Sequence, residues 1–501
     1  MTLKDFTRSF TENFMGSAPK WYKLTVIAFL VVNPALMLLA GKTAAGWVLV
    51  AEFIFTLAMA LKCYPLQPGG LLALEAIVMG MSTPDRVYEE AHHNFPVIML
   101  LMFMVAAIFF MKDLLLYIFS NVLVKIRSKI LISLLFCALG AFLSAFLDAL
   151  TVVAVIMTVG TGFYSEYHRH ASGADIGKER DHSDDSQVKE GHKEDLEEFR
   201  GFLRNILMHA AVGTALGGVT TLVGEPQNLL IAHVMGWHFG EFFHIMSPVT
   251  MPVLFIGFLT CIAVEKLKIA GYGRQLPDSV RDVLRNYAER EALKLGPKDR
   301  VKLAVQAAMG ATLIMALAFH VAEVGVIGLS MIILLTALNG ITDEHQLGRA
   351  FHEALPFTAL IVVFFAVVAV IHDQALFKPI VDWTMTLRGQ GQLMAFYAAS
   401  GALSAVSDNV FVATIYISEA KTLFDAGLID LAQYNLIAVA INTGTNIPSV
   451  ATPNGQAAFL FLLTSTVAAL VRLSYTRMLI LALPYTITMT TAGFIAVAFW
   501  L

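Results

Sequence analysis

Apolar stretches of about 20 residues recur along most of the chain and are separated by short polar segments. An α-helix of this length crosses roughly 30 Å of hydrocarbon, so the pattern predicts an all-α polytopic membrane protein. We place the apolar segments at about 22–41, 44–62, 64–81, 95–112, 130–164, 204–240, 247–265, 303–319, 322–339, 355–372, 392–418, 434–471 and 479–500.

Two polar stretches interrupt the apolar segments. Residues 165–203 contain six Lys or Arg, eleven Asp or Glu and four His, which predicts a solvated cytoplasmic insert. Residues 266–302 contain ten Lys or Arg, and residues 280–295 have the spacing of an exposed helix. Basic loops lie on the cytoplasmic side, so we expect the N-terminus on that side and the C-terminus on the other.

The pattern divides the chain into consecutive parts. Residues 1–21 have apolar positions at helical spacing and predict an amphipathic segment on the membrane surface. The remaining parts are N-terminal scaffold helices at 22–94, a first repeat at 95–265 with a hairpin at about 130–164, the basic loop at 266–302, scaffold helices of a second repeat at 303–354, and its remainder at 355–501 with a hairpin at about 392–418.

Composition supports this class of protein. The chain is 57% hydrophobic and 14% charged, whereas globular proteins average about 25% charged residues. It has no basic face or arm that would indicate a nucleic-acid partner. Its three cysteines, Cys63, Cys137 and Cys261, are far apart and suggest neither a disulfide framework nor a metal site.

The sequence repeats itself at an offset of 260 residues. Pro96 aligns with Pro356, and Ser144-Ala145-x-x-Asp148 aligns with Ser404-Ala405-x-x-Asp408. Beyond the insert the offset becomes 227, which aligns Glu225-Pro226 with Thr452-Pro453. The loops around the first hairpin carry eleven Lys or Arg and their counterparts carry three. This difference predicts two repeats of inverted topology, which is typical of secondary transporters.

The segment 130–164 could cross the membrane twice, and basic residues flank both of its ends. Because Ser144 and Asp148 occupy its middle, we expect a re-entrant hairpin whose polar tip is buried in protein. Segments rich in Gly and Pro, at 220–228 and 442–454, predict a broken transmembrane helix in each repeat.

Asp148 and Asp408 are the main candidates for a functional site. An ionised carboxylate near the bilayer centre costs at least roughly 2.5–3.5 kcal/mol, so each needs a partner or a function. One interpretation is an aspartate that caps a half-helix at a hairpin tip. The other is a ligand for a hard cation: a carboxylate removed from water has a raised pKa, so it can hold either a proton or Na⁺.

Further oxygen donors surround these aspartates in the sequence. Backbone carbonyl groups freed at the helix breaks would complete a cation cage. The candidate cation- or proton-binding residues besides the two aspartates are Ser144, Thr151, Thr221, Gly224, Glu225, Asn228, Ser404, Ser407, Asn409, Asn446, Thr452 and Asn454, with Asn228 and Asn454 as predicted Na⁺ ligands. Hydroxyl groups often bond their own helix instead.

Thr221-x-x-Gly224-x-Pro226-x-Asn228 resembles the first broken-helix motif of the ion transporter superfamily, which includes sodium–dicarboxylate symporters and arsenite exporters. Asp148 and Asp408 stand where those symporters carry Asn in a Ser-Asn-Thr tip. Over nearly the whole chain, including Asn-Phe-Met-Gly at 13–16 and Tyr-Pro-Leu-Gln-Pro-Gly-Gly at 64–70, the sequence is most similar to the NhaB-type bacterial sodium/proton antiporters.

The resemblance implies electrogenic exchange of cytoplasmic Na⁺ or Li⁺ for external H⁺ across the bacterial inner membrane, by alternating access and without a cofactor. It implies a scaffold domain, a transport domain with two re-entrant hairpins, and a homodimer formed by scaffold helices. One cation site would use Asp148 with residues 224–228. The other would use Ser407, Asp408 and Asn409 with residues 452–454.

Three other functions fit the sequence less well. A sodium-coupled organic-anion symporter of the same fold is the nearest alternative, although none of the four motif segments contains the Lys or Arg that usually binds an anion. An intramembrane aspartyl protease would need two catalytic aspartates, but neither aspartate follows Gly-x-Gly. ATP-driven transport is excluded because Gly41-Lys42-Thr43 has Leu36 where a phosphate loop needs glycine.

Overall fold

The computed structural model describes residues 3–147, 149–173, 181–376, 379, 383, 386–387 and 389–501, with the backbone alone at residues 3–4, 6–8 and 353. The described residues form helices and connecting turns without any β-strand. The first half of the chain contains α1 (Leu3–Asn13), α2 (Lys20–Ala40), α3 (Lys42–Ala58), α4 (Leu66–Val78), α5 (Pro84–His93), α6 (Phe95–Phe109), α7 (Lys112–Lys125), α8 (Lys129–Ser144), α9 (Ala149–Ala171), α10 (Lys193–Gly218), α11 (Pro226–Met235) and α12 (Phe239–Leu267).

The second half begins with the helix in the basic loop. Its helices are α13 (Asp278–Lys294), α14 (Pro297–Ala318), α15 (Val324–Leu338), α16 (Glu344–Asp373), α17 (Gln390–Ser404), α18 (Asn409–Asp425), α19 (Leu431–Asn446), α20 (Ala457–Thr464), α21 (Thr466–Leu470) and α22 (Tyr475–Trp500). α13 confirms the helix expected at 280–295. A short 3-10 turn, Pro448–Ala451, follows α19.

Several of these helices can cross a bilayer. In the described chain, α2, α9, α12, α14, α22 and the part of α16 at Ala354–Asp373 are long and apolar enough to span one. α5 and α6 would form a further span, bent by 65°. The protein is therefore an all-helical polytopic membrane protein, as the apolar pattern predicts.

The centre of the molecule is α10, which is buried on every side from Phe199 to Gly218. Its glycines allow the backbone of α8 to approach closely. A Cβ atom on Gly217 would overlap the Ala141 carbonyl oxygen, and one on Gly213 would overlap that of Cys137. The hydrophobic effect does not drive helices together inside a membrane. Small residues instead allow the close backbone contacts that hold the helices against each other.

α17 packs against α19 in the second half as α8 packs against α10 in the first. A Cβ atom on Gly444 would lie 2.7 Å from the carbonyl oxygen of Tyr397. A Cβ atom on Gly401 would likewise lie 2.7 Å from the Cγ atom in the Pro448 ring. Each helix that precedes a hairpin tip is thus held against the helix that precedes a break.

The insert at 165–203 is less solvated than its charge suggests. α9 continues to Ala171 and α10 begins at Lys193, so helices enter the insert from both ends. Tyr167 and Phe199 are buried, with their ring centroids 5.7 Å apart. The expectation of a solvated loop was wrong for these positions, because the many charges conceal aromatic residues at helical spacing.

Candidate functional site

The first hairpin tip lies between α8 and α9. Asp148, the first predicted cation ligand, lies outside the described residues. Ser144 is fully buried at the end of α8, and its Oγ has no hydrogen-bond partner within the described part of the chain. Thr151 is half-buried in the first turn of α9.

The first helix break separates α10 from α11 and closes against this tip. Thr221 Oγ1 donates a hydrogen bond to the carbonyl oxygen of Ala145. A Cβ atom on Gly224 would lie 2.7 Å from the Ser144 carbonyl oxygen. Glycine is therefore required at this position because any side chain would separate the break from the tip.

Asn228 holds the break itself together. Its Nδ2 donates to the carbonyl oxygens of Gly218 and Thr221, each at 2.7 Å. Both are carbonyl groups that the interrupted helix leaves without their usual partners. Asn228 therefore stabilises the irregular backbone rather than pointing into open space.

The second half repeats the same contacts. Thr452 Oγ1 donates to the Ala405 carbonyl oxygen at 2.5 Å, and a Cβ atom on Gly455 would lie 2.6 Å from the Ser404 carbonyl oxygen. The contacts correspond to those of Thr221 and Gly224 at an offset of 231 residues.

The structure thus replaces the offset of 227 that the prolines suggest. The tips are contacted by Thr221 and Gly224 in one break and by Thr452 and Gly455 in the other, whereas Pro226 and Pro453 lie five residues and one residue after the threonine. The corrected offset aligns Glu225 with Gln456.

Asp408 caps α18 at the second hairpin tip. Its Oδ1 accepts hydrogen bonds from the backbone N–H groups of Val410 and Phe411, at 2.8 and 3.3 Å. The structural interpretation of this aspartate is therefore confirmed. It does not exclude a second role, because the cap uses one of the two carboxylate oxygens and the carboxylate also lines a cavity.

Asn409 lies in a pocket of oxygen atoms. Its amide contacts Ser404 Oγ, and its amide nitrogen, when turned toward the backbone, lies 3.1 Å from the Thr445 and 2.9 Å from the Gly455 carbonyl oxygen. Ser404 Oγ also donates to the Thr445 carbonyl oxygen at 2.8 Å. Ser407 is fully buried, and its Oγ has no partner among the described residues.

The two breaks meet at Asn446. Its Nδ2 donates to Asn228 Oδ1 at 3.1 Å, and its Oδ1 accepts from Gln227 Nε2 at 2.7 Å. Asn454, by contrast, is turned away from this centre: its Nδ2 donates to the Ala58 carbonyl oxygen at the end of α3, at 2.8 Å. The structure therefore joins Asn228 and Asn446 but places Asn454 against the end of α3.

A small cavity of about 20 Å³ lies where the hairpins and breaks converge. Glu225, Asp408 and Gln456 line it, together with the start of α9 at Ala149 and Leu150. A water molecule needs roughly 10–15 Å³ on this measure, so the cavity has room for about one water or one dehydrated ion. Glu225 and Gln456 are buried, at 5% and 1% exposure.

Gln456 is the site residue that the sequence analysis missed. Neither Nε2 nor Oε1 of its buried amide has a hydrogen-bond partner within the described chain. An unpaired buried amide is costly, which indicates a site whose ligand supplies the missing contacts. Gln456 was missed because its side chain is uncharged. The match of Thr452-x-x-Gly455-Gln456 with Thr221-x-x-Gly224-Glu225 is nevertheless a signal in the sequence.

A larger cavity of about 750 Å³ lies beside the C-terminal parts of α11 and α18. Leu230 on α11 and Thr414 on α18 line it, together with Glu90 on α5 and His372 on α16, which lie 2.9 Å apart between Oε1 and Nδ1. Because α11 and α18 both start at the small cavity, this vestibule faces the site along two helices.

Interrupted helices that meet at a buried polar cavity within a polytopic bundle define the class of membrane transporters. The family described as "Bacterial Na+/H+ antiporter B (NhaB)" matches residues 1–501. The chain belongs to this family.

Curated relatives cover the same length. A protein of Pseudomonas aeruginosa (strain LESB58) is 62% identical over 495 residues, 99% of each chain. One of Shewanella denitrificans is 60% identical over 485 residues, 97% of this chain and 92% of the relative, and one of Saccharophagus degradans is 59% identical over 490 residues, 98% of each. Each is named Na(+)/H(+) antiporter NhaB.

Proposed function

We propose that this protein is a secondary Na⁺/H⁺ antiporter that moves cytoplasmic Na⁺ or Li⁺ out of the cell in exchange for external protons. The observation that carries the proposal is the small cavity lined by Asp408, Glu225 and Gln456. Membership of the NhaB family supports it. The transported ions are the only small partners, and no cofactor takes part.

In this mechanism the cation and the proton compete for the cavity. A dehydrated Na⁺ prefers oxygen ligands, and Asp408, Glu225 and the Gln456 amide oxygen supply them from three separate segments. Protonation of a carboxylate removes the charge that holds the cation. The site therefore carries either the cation or protons, and exchange follows when it faces the two sides of the membrane in turn.

The hairpins and helix breaks carry the proposed ligands of the site, so a joint movement of these segments would carry the whole site with it. We interpret α8–α9 and α17–α18 as re-entrant hairpins of two inverted repeats, and α10–α11 and α19–α20 as broken transmembrane helices. The matching contacts of Thr221 with Ala145 and of Thr452 with Ala405 support this assignment. Asp148 stays a proposed cation ligand because it corresponds to Asp408 at the offset of 260 residues.

The orientation follows from charge. The segments 112–129, 165–204 and 266–302 carry twenty-one of the 34 Lys and Arg residues. Basic loops lie on the cytoplasmic side, so we infer that α13 and the N-terminus lie there. The vestibule beside Glu90 and His372 then opens to the periplasm, together with the C-terminus, in the bacterial inner membrane. We propose a homodimer through scaffold helices, as expected from the resemblance.

The symporter alternative is weaker because of the size of the cavity. About 20 Å³ accommodates one dehydrated ion, and the described residues that line the cavity include no Lys or Arg to bind an organic anion. Two of its polar lining side chains are carboxylic acids, which would repel an anionic substrate when ionised.

Proteoliposomes with an acid interior and a pH-sensitive dye test the proposed function. We expect added Na⁺ or Li⁺ to collapse the pH gradient, whereas K⁺ and choline leave it unchanged. A gradient that survives Na⁺ and collapses only when an organic anion is added with Na⁺ would contradict antiport and establish the symporter.

A further inference from the structure

A groove of about 1030 Å³ lies outside the transport site, between α7, α9, α13 and α14. It follows α7 from Asp113 to Lys125, which is about 18 Å at 1.5 Å per residue. One leaflet of a bilayer has a hydrocarbon thickness of roughly 15 Å, half of the whole. The groove is therefore as long as a lipid acyl chain in one leaflet.

Apolar and basic residues both line the groove. Leu116, Val159 and Phe163 are among the apolar ones, and Lys125 and Arg127 line it where α7 ends, beside Arg281 of α13. α13 forms one wall and is fixed on α9 by ring contact of Tyr287 with Phe163, with centroids 6.0 Å apart.

The acidic residues of the groove already have partners. Glu291 pairs with Lys294 at 2.6 Å, and Glu289 lies 4.0 Å from Arg285. Asp299 Oδ2 accepts a hydrogen bond from the Gly296 N–H at 2.9 Å, and Asp113 accepts one from Gln306 at 3.5 Å.

Two of the groove's basic residues are also occupied. Arg281 donates to the Ile126 carbonyl oxygen at 3.1 Å, and Arg285 pairs with Asp282 at 3.2 Å. By contrast, Lys125, Arg127 and Lys302 form no ion pair within the described part of the chain, and all three are exposed. The end of α7 thus keeps two positive charges, those of Lys125 and Arg127, available for an anion.

We propose that this groove binds an anionic phospholipid, with its phosphate at Lys125 and Arg127 and an acyl chain between α7 and α9. Basic pockets at the cytoplasmic ends of membrane helices bind acidic headgroups. A free phosphate ion would use these two side chains but would leave the apolar length empty, so the combined charge and shape favour a lipid.

Native mass spectrometry of the full-length protein tests the proposal with dioleoyl phosphatidylglycerol and dioleoyl phosphatidylcholine as probes. We expect the wild type to retain phosphatidylglycerol at least tenfold more strongly. The double variant Lys125→Gln, Arg127→Gln should lose this preference. The control variant Lys266→Gln, Lys268→Gln, which removes the same charge outside the groove, should keep it.

A second variant fills the groove without changing its charge. Gly162 lines the groove, and no atom lies within 4 Å of the position that a Cβ would take there, so leucine fits at this point of α9. Gly162→Leu should weaken phosphatidylglycerol retention at least fivefold, whereas Gly240→Leu, at an equally open helical glycine in α12, should not. Equal retention by Gly162→Leu and wild type, or displacement of the lipid by inorganic phosphate alone, would overturn the proposal.

Discussion

At the scale of single residues, the cavity brings together three side chains of unequal charge. Glu225 and Gln456 occupy matching positions after Gly224 and Gly455, so one helix break supplies a carboxylate where the other supplies an amide. Asp408 adds a carboxylate that also caps α18. The two breaks therefore contribute unequal charge to the cavity.

Replacing Gln456 tests whether its buried amide belongs to the site. Gln456→Leu removes an oxygen ligand but fills a similar volume, so we expect the apparent KM for Na⁺ to rise about tenfold, the equivalent of roughly 1.4 kcal/mol. Removal of two unpaired buried polar atoms should leave folding intact or improve it. The measurement is dye-monitored antiport in proteoliposomes, together with the unfolding temperature.

The half-buried Gln346 at the start of α16 provides the control, and Gln346→Leu should leave the KM unchanged. A purely structural role for Gln456 would be established if its leucine variant transported Na⁺ with the KM of the wild type.

At the scale of elements, the close contact between break and tip depends on glycine. Gly224→Ala would place a Cβ atom against the Gly218 carbonyl oxygen and 2.7 Å from that of Ser144. Because both partners are backbone atoms, the tip must shift, at a cost of about 1–3 kcal/mol. We expect a lower unfolding temperature and reduced antiport.

Gly240→Ala is the matched control, because an added Cβ at that helical glycine meets no atom within 4 Å. It should preserve or slightly raise the unfolding temperature. Equal effects of the two substitutions would show that the backbone contact at Gly224 has no importance for the fold.

A further element is the insert at 165–203. Asp185 links this insert to the rest of the protein through Arg200 and Arg472. Arg200 donates to both carboxylate oxygens of Asp185, at 2.9 and 2.7 Å, and Arg472 adds a contact at 2.7 Å. The Arg200 guanidinium holds the pKa of Asp185 below its usual value. A lowered pKa contributes stability that is present above the unfolded pKa and is lost as the pH falls through the folded one.

We therefore expect Asp185→Asn to lower the unfolding temperature by the same amount at pH 6, 7 and 8. The difference should shrink only below about pH 4, near the ordinary pKa of aspartate. Unfolding scans of both proteins across this range give the result. A difference that disappears between pH 8 and 6 would contradict the assignment to the Asp185 carboxylate.

At the scale of the whole molecule, a buried ionic cluster joins α8, α10, α12 and α22. Glu265 Oε1 lies 2.9 Å from Lys129 Nζ and 2.7 Å from His209 Nε2, and His209 Nδ1 lies 2.6 Å from the Tyr485 hydroxyl. Removing one partner of such a cluster leaves an uncompensated buried charge, which costs about 3–5 kcal/mol.

Lys129→Met should therefore destabilise the protein strongly, whereas the double variant Lys129→Met, Glu265→Gln should recover part of the loss. Unfolding temperatures of the two variants in the same detergent give the comparison. A double variant less stable than Lys129→Met would argue against an ionic cluster at this position.

The sequence predicts much of this architecture because hydrophobic length and the position of Gly and Pro are local properties. The helices, the interruptions within 220–228 and 442–454, and the choice of Asp408 and Glu225 as candidate site residues follow from them. The offset of the second break and the role of Gln456 depend on which atoms meet after folding. The direction of Asn454 toward α3 likewise results from packing between distant segments.

The most direct test of the proposed exchange site is ²²Na⁺ binding to purified protein at several pH values, with wild type, Asp408→Asn and the exposed-residue control Asp282→Asn. Competition between Na⁺ and a proton predicts that the apparent Kd of the wild type rises, by up to tenfold for each unit of falling pH, in the range where the site takes up its proton. The control should behave like the wild type, and Asp408→Asn should bind Na⁺ at least tenfold more weakly with little dependence on pH. Wild-type affinity and pH dependence in Asp408→Asn would contradict the assignment of Asp408 as the shared cation and proton site.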